Sequence, residues 1–302
     1  MTGGAPPGER SSRAHDPHDP RHRRAHDGNH FAGTFAALGN LAFEGASVSA
    51  CIIDVRTGRA VLSIDDRIVL PTASVGTILL LLEVSARLTA RNPSAHGIVD
   101  REPLAPVGDA GLWRHLQVPA LPVADLAALV GAASDNLATN ALLDRIGLDA
   151  VRERAEAVGL TRTALLDMVR DNRGPDDAPQ LSVGSTGELA GLMAGLTRGE
   201  VVDSATSRRV LGWLALNADL SLVASAFGLD PLAHHLTDHD LRLVNKTGTD
   251  AGVRADVGVL RGPRASVAYA VAVQFVDDNL NARLRVLDTF RAVGFDILDY
   301  VH

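Results

Sequence analysis

Apolar residues at Phe31, Phe35, Leu38, Leu41 and Ala42 fall close to helical spacing and predict an amphipathic first helix over 31–43. From Ser47 to Val55 the pattern changes to alternation rich in β-branched residues. Thr57-Gly58 supplies a turn and Arg59 to Ile64 resumes the alternation, which is the pattern of a hairpin. Next comes Leu70-Pro71-Thr72-Ala73-Ser74-Val75-Gly76-Thr77, running into Ile78-Leu79-Leu80-Leu81-Leu82. Pro71 suits the position just outside a helix or its first turn. An unbroken apolar run exceeds one amphipathic stripe, so a helix buried on all sides is expected, with Ser74 at its start. A serine there is either an N-cap or a group placed where free N–H donors and the helix dipole favour developing negative charge.

From Ser74 to about Gly199 the signals are helical, interrupted by Asn92-Pro93, by a loop around Gly108 and by Asp171 to Gln180. Two helical patches, Leu121 to Ala133 and Leu137 to Ile146, are separated by Ser134-Asp135-Asn136, where Ser134 is well placed as an N-cap. Asn172 to Pro179 carries every turn signal. A helix over Ser204 to Leu216 follows, then strands over Leu241 to Asn245, Gly252 to Leu260 and Ser266 to Phe275, and a last helix over Leu280 to Val293. This order predicts an α/β protein whose one sheet is assembled from both ends of the chain. The expected division is a discontinuous α/β subdomain (30–70 and 203–302) around a helical subdomain (71–202).

Composition narrows the function classes. The 302 residues suffice for a large core, and a net charge of −7 without a long basic run gives no reason to expect a nucleic-acid partner. No apolar run approaches the roughly 20 residues that span a bilayer, so no membrane association is expected. Cys51, the single cysteine, lies in an alternating apolar run and reads as a small buried hydrophobe, and internal disulfides are excluded. Residues 1–29, rich in Gly, Pro, Asp, His and Arg, read as a disordered tail. No apolar core follows Arg21 to Arg24, so a cytoplasmic protein is expected. His15, His18, His22, His26 and His30 suggest a metal site, but Asp16-Pro17 and Asp19-Pro20 oppose the helix that would hold one.

Three short motifs carry the chemistry: Ser74-Val75-Gly76-Thr77, Ser134-Asp135-Asn136 and Lys246-Thr247-Gly248. Each alone has a bland reading as a cap or a strand end. Together, in this order and in these elements, they resemble the S-x-x-K, S-D-N and K-T-G set of the serine β-lactamases and penicillin-binding proteins, class A in particular. The resemblance spans about Phe31 to His302. It implies a β-lactamase-like fold: about five antiparallel strands, flanking terminal helices and an inserted all-helical subdomain.

The resemblance also implies roles. Ser74 is the acylated nucleophile, and its own N–H and that of Thr249 form the oxyanion hole. Ser134 relays a proton to the leaving nitrogen, with Lys246 beside it easing the transfer and attracting a substrate carboxylate. Asn136 holds the substrate amide, Thr247, next to Gly248, contacts the carboxylate, and Arg254 is either a carboxylate-binding arginine or an ordinary exposed strand residue. The implied partner is a small molecule bearing a carboxylate, with no metal or organic cofactor; the oligomeric state is not readable.

Two departures qualify the resemblance. Thr77 stands where the family has lysine, and a neutral hydroxyl is no general base near pH 7. Without that neighbouring cation, Lys246 is expected to be harder to deprotonate. In the long loop, the position of the family's deacylating glutamate falls on Arg170, or on Asp171 if one residue is skipped. Three functions stay open: a slow or atypical serine hydrolase or acyl transferase drawing a base from Asp171, from Lys246 with Ser134 or from the substrate; a degenerate relative that binds without turnover; and a structural protein in which Ser74 is only a cap.

Overall fold

The computed structural model describes residues 1–3, 30–108 and 110–302, so most of the tail, with His15, His18, His22 and His26, lies outside the described residues. Helix α1 (Ala32–Phe43) buries Thr34, Leu38 and Leu41. It leads into the hairpin β1 (Ser47–Asp54) and β2 (Ala60–Ile64), then a two-residue strand β3 (Leu70–Pro71). A tight 3-10 turn, Ala73–Gly76, opens helix α2 (Thr77–Thr89). The expectation of all-round burial is met: every residue from Thr77 to Ala86 is buried. At about 2 kcal/mol for each buried leucine, Leu79 to Leu82 anchor the turn that carries Ser74. Glu83, the charge within this run, is held by Arg87 Nε at 2.6 Å and Arg154 Nε at 2.7 Å.

The short ladder of β4 (Ile98–Asp100) and β5 (Ala120–Pro122) precedes α3 (Val123–Ala133), α4 (Asn136–Ile146) and α5 (Leu148–Ala157). Strands β6 (Ala164–Leu165) and β7 (Ser182–Gly184) pair with each other, and β7 also takes β3. Helices α6 (Thr186–Arg198) and α7 (Ser204–Leu214) close the block. The chain then returns as β8 (Arg242–Asp250), β9 (Val253–Arg261) and β10 (Ser266–Gln274), and ends in α8 (Leu280–Val301). That helix outruns its predicted end because Val293, Ile297 and Val301 continue one buried stripe.

The five long strands form an antiparallel sheet in the order β2-β1-β10-β9-β8. It separates two cores. Val244, Val257 and Ala270 pack with Leu80, Val130 and Leu214 on the helical side. Leu243, Leu260 and Val271 pack with Leu38, Phe290 and Ile297 on the other. Helix α7, which the sequence division placed with the α/β half, puts Val210, Trp213 and Leu214 into the helical-side core. Cys51 is buried as expected, and burial together with the charge of Asp66 pushes its thiol up to about 12. Among the described residues, no helix is long and apolar enough to cross a membrane.

Candidate active site

Ser74 sits in a turn whose shape is imposed from outside. The preceding residue, Ala73, has φ +48°, in the left-handed region that disfavours residues with a Cβ. Ser182 of β7 holds it there: its hydroxyl donates to Ala73 O at 2.6 Å, and its carbonyl accepts from Thr72 N at 3.1 Å. Gly76 lets that strand come close, since a Cβ would lie 2.2 Å from Ser182 Cβ. Gly248 does the same for the sheet. A Cβ there would lie 2.1 Å from Thr72 O, so the free edge of β8 can abut the Ser74 turn only with glycine at this place. The N-cap reading of Ser74 fails, because the residue is the N-cap of neither the turn nor the helix and lines a cleft instead.

The cleft, of about 380 Å³, is lined by Ser74, Ser134, Asn217, Asp219, Thr247 and Thr249, with alanines completing its wall. Ser134 is not the expected N-cap. It is the C-cap of α3, in left-handed conformation (φ +52°, ψ +40°), and Asp135 caps α4 by accepting from Ala138 N at 2.9 Å. Asp135 also accepts from Leu112 N at 2.6 Å and Trp113 N at 2.8 Å, so one buried carboxylate fixes the loop opposite and leaves the Ser134 hydroxyl to the cleft.

Beneath Ser134 lies Lys246. Side chains alternate along β8, so Lys246 shares the helical-side face with Val244, and it is completely buried. Its Nζ donates to Ser134 Oγ at 2.9 Å and to Thr247 O at 2.7 Å. Burial pulls the ammonium down to about 8, against the opposing charges of Asp219 and Asp256. The absence of a cation at Thr77 acts in the opposite direction, but burial sets the net shift of Lys246 downward from the free-lysine value. Burial holds Asp256 itself well above the usual carboxyl range, where Asn245, Val223 N and Tyr269 surround it.

The structure does not bring the other candidates into the cleft. The Thr77 hydroxyl, buried, donates to Ser74 O at 2.8 Å. Asp171 is exposed and accepts from Gly108 N at 2.8 Å, in a separate groove beside Arg101 and Arg114. Arg170 is tied to Asp167 and Asp177. Asn140 grips the main chain of Val169 from both sides, at 2.8 and 2.9 Å, which sets the course of this loop. Asn136 is nearly buried and donates to Gly108 O at 3.0 Å. Arg254 is not an exposed strand residue. It is 7% exposed, donates to Asp250 O and Val253 O at 2.8 Å, lies 3.6 Å from Asp277 and stacks over Phe275.

Asp219 is the residue sequence reasoning missed. It follows Asn217-Ala218 in a polar loop that carries no motif, and it reaches Thr247, whose hydroxyl donates to Asp219 Oδ2 at 2.6 Å. Partial burial would raise this carboxyl. Hydrogen bonds from Ser221 and Thr247 and the charge of Lys246 outweigh that and hold it below the ordinary range, so it is ionised at neutral pH.

A five-stranded antiparallel sheet with an inserted helical block, and Ser74, Ser134 and Thr247 around one cleft, is the β-lactamase fold. The chain belongs to the Beta-lactamase enzyme family, whose sequence profile matches residues 34–301. Among solved structures, a β-lactamase from Sphaerobacter thermophilus is 22% identical with a TM-score of 0.76, covering 90% of this chain and 97% of that one. A β-lactamase from Xanthomonas campestris pv. campestris is 17% identical with a TM-score of 0.73, covering 91% and 99%. The penicillin-binding protein PBP-A is 18% identical with a TM-score of 0.70, covering 89% and 96%, and a mutant of it is known as an acyl-enzyme complex with penicillin G. At these identities the likeness is one of fold. No curated protein matches the chain.

Proposed function

We propose that the chain is a serine hydrolase or acyl transferase that forms an acyl-enzyme on Ser74, from a β-lactam or another activated amide or ester. The observation that carries this reading is the contact of Lys246 Nζ with Ser134 Oγ, 2.9 Å, on the wall of the cleft that Ser74 enters. With the lysine at about 8, roughly a tenth of it is neutral at pH 7, and the fraction rises with pH. The neutral amine accepts the Ser134 proton while Ser134 takes that of Ser74, and Ser74 Oγ attacks the carbonyl carbon. In this reading the N–H groups of Ser74 and Thr249, two residues that line the cleft, donate to the oxygen where charge collects. The proton then returns through Ser134 to the leaving nitrogen or oxygen.

Deacylation has less support. No carboxylate of the 167–177 loop lines the cleft, and Asp171 is engaged by Gly108 N. Absence of a positioned base costs about 10²- to 10⁴-fold in rate, so turnover is slow and favours substrates with good leaving groups. A second reading, a binder without turnover, is favoured by the Thr77 hydroxyl, which is engaged by the Ser74 carbonyl and gives Ser74 Oγ no proton acceptor.

A fluorescent penicillin, offered both as its free acid and as its methyl ester, tests the proposal. Covalent labelling of the wild type by at least one form and its loss in Ser74→Ala is the expected result. Equal labelling of both proteins, or of neither by either form, contradicts it. Recognition of a substrate carboxylate by Thr247 and Arg254 is weakened as a component of the reading, since both already face carboxylates of this chain.

A further inference from the structure

We infer that Asp219 sets the ligand class of the cleft: it excludes a carboxylate from the Thr247 end and admits an acyl donor that is uncharged or bears an ammonium group there. The inference rests on the reading of the cleft as an acyl-donor site. Thr247 has one hydroxyl proton, and at 2.6 Å that proton goes to Asp219 Oδ2. A ligand carboxylate placed on Thr247 would meet an ionised carboxylate in direct contact with the same hydroxyl, which is a like-charge juxtaposition at the cleft wall. The carboxylate is also fixed in place, because Ser221 N donates to Asp219 Oδ1 at 3.0 Å.

Neither nearby cation offsets this. Lys246 donates to Ser134 and Thr247 O from a fully buried position, and its charge is balanced by Asp219 itself. Arg254 turns to Asp277 and to two backbone carbonyls. Asp219 therefore leaves the Thr247 end of the cleft without an uncompensated positive charge. With two of its acceptor sites filled, its carboxylate retains lone pairs that an amide N–H or an ammonium can use.

The test is equilibrium binding to Ser74→Ala of benzylpenicillin, its methyl ester and its 2-aminoethyl amide, followed by calorimetry. These three share a body and differ in charge at one end. The ester and the aminoethyl amide are expected to bind at least 10-fold more tightly than the free acid. Adding Asp219→Asn, which keeps the shape, removes the charge and turns one acceptor oxygen into a donor amide, is expected to shrink that ratio at least 10-fold, and Asp219→Ala is expected to do the same. Tightest binding of the free acid while Asp219 is present, an order unchanged by both Asp219 variants, or no binding of any of the three overturns the inference. The readout needs no covalent chemistry. A wild type that never forms an adduct removes the acyl-enzyme reading, and the binding order in Ser74→Ala is still read independently.

Discussion

Lys246 Nζ and Ser134 Oγ lie 2.9 Å apart, joining a fully buried strand residue to the left-handed cap of a helix 112 positions earlier in the chain. The contact depends on both partners being forced. Asp135 closes the next helix and leaves Ser134 as a half-buried corner at the cleft, while the alternation of β8 drives Lys246 inward. The result is a hydroxyl and an amine in proton-transfer contact, with the amine brought to about 8 by loss of its water shell.

If neutral Lys246 is the proton acceptor, acylation of Ser74 rises with pH and levels off above about 8. Asp219 favours the ammonium form, so Asp219→Asn moves the rising limb to lower pH. Labelling rates between pH 6 and pH 10, measured on both proteins, check this. A limb that stays fixed in the variant, or a rate independent of pH in the wild type, assigns the proton to another group.

The same burial links pH to stability. The folded-state value of about 8 lies below the ordinary 10.5, so between these limits the unfolded chain holds a proton that the folded chain has released. Stability therefore rises with pH across that window and is lowest, as far as this group is concerned, below pH 8. The gain amounts to about 3 kcal/mol. Lys246→Met removes the group, and the difference in unfolding free energy between variant and wild type is expected to drift by that amount against the variant from pH 8 to pH 10.5. Urea titrations at several pH values measure it.

Gly248→Ala places a methyl group against Thr72 O, which forces the sheet edge and the Ser74 turn apart. A loss of about 1–3 kcal/mol in stability is expected, as for other overpacked sites. Labelling of Ser74 is expected to fall by more than the stability loss explains, because Thr249 moves with the edge; equal labelling per folded molecule contradicts the placement of the oxyanion donors.

Thr77→Lys restores an amine one turn beyond Ser74. Acylation is expected to rise by about 10²-fold, the ordinary contribution of a positioned base. Single-turnover labelling of folded variant and wild type measures it, and no gain contradicts the expectation that an amine at this position acts on Ser74.

Much of this architecture was legible in residue order. The change from helical spacing to alternation located α1, β1 and β2, and the unbroken run from Ile78 to Leu82 disclosed a helix with no solvent face. The motif residues Ser74, Ser134 and Thr247 do meet at one cleft. Ser134 was misread as an N-cap because Ser and Asp are both good caps and stand side by side; backbone geometry, absent from sequence, decides for Asp135. Asp219 was invisible because its meaning comes from a contact with Thr247, 28 positions away on a strand. The burial of Lys246 was hidden for a related reason: a sequence shows the missing cation at Thr77 but not the loss of solvent around the amine.

The central claim is that Ser74 is acylated, and intact-protein mass spectrometry over time tests it most directly. The wild type is incubated with neutral and carboxylate-bearing β-lactams, aryl esters and acyl thioesters, beside Ser74→Ala. The account predicts a mass increase of one acyl group on Ser74 with at least one of these compounds, decaying slowly, and none on the variant. An unchanged mass with every compound, or an adduct that survives Ser74→Ala, would contradict it.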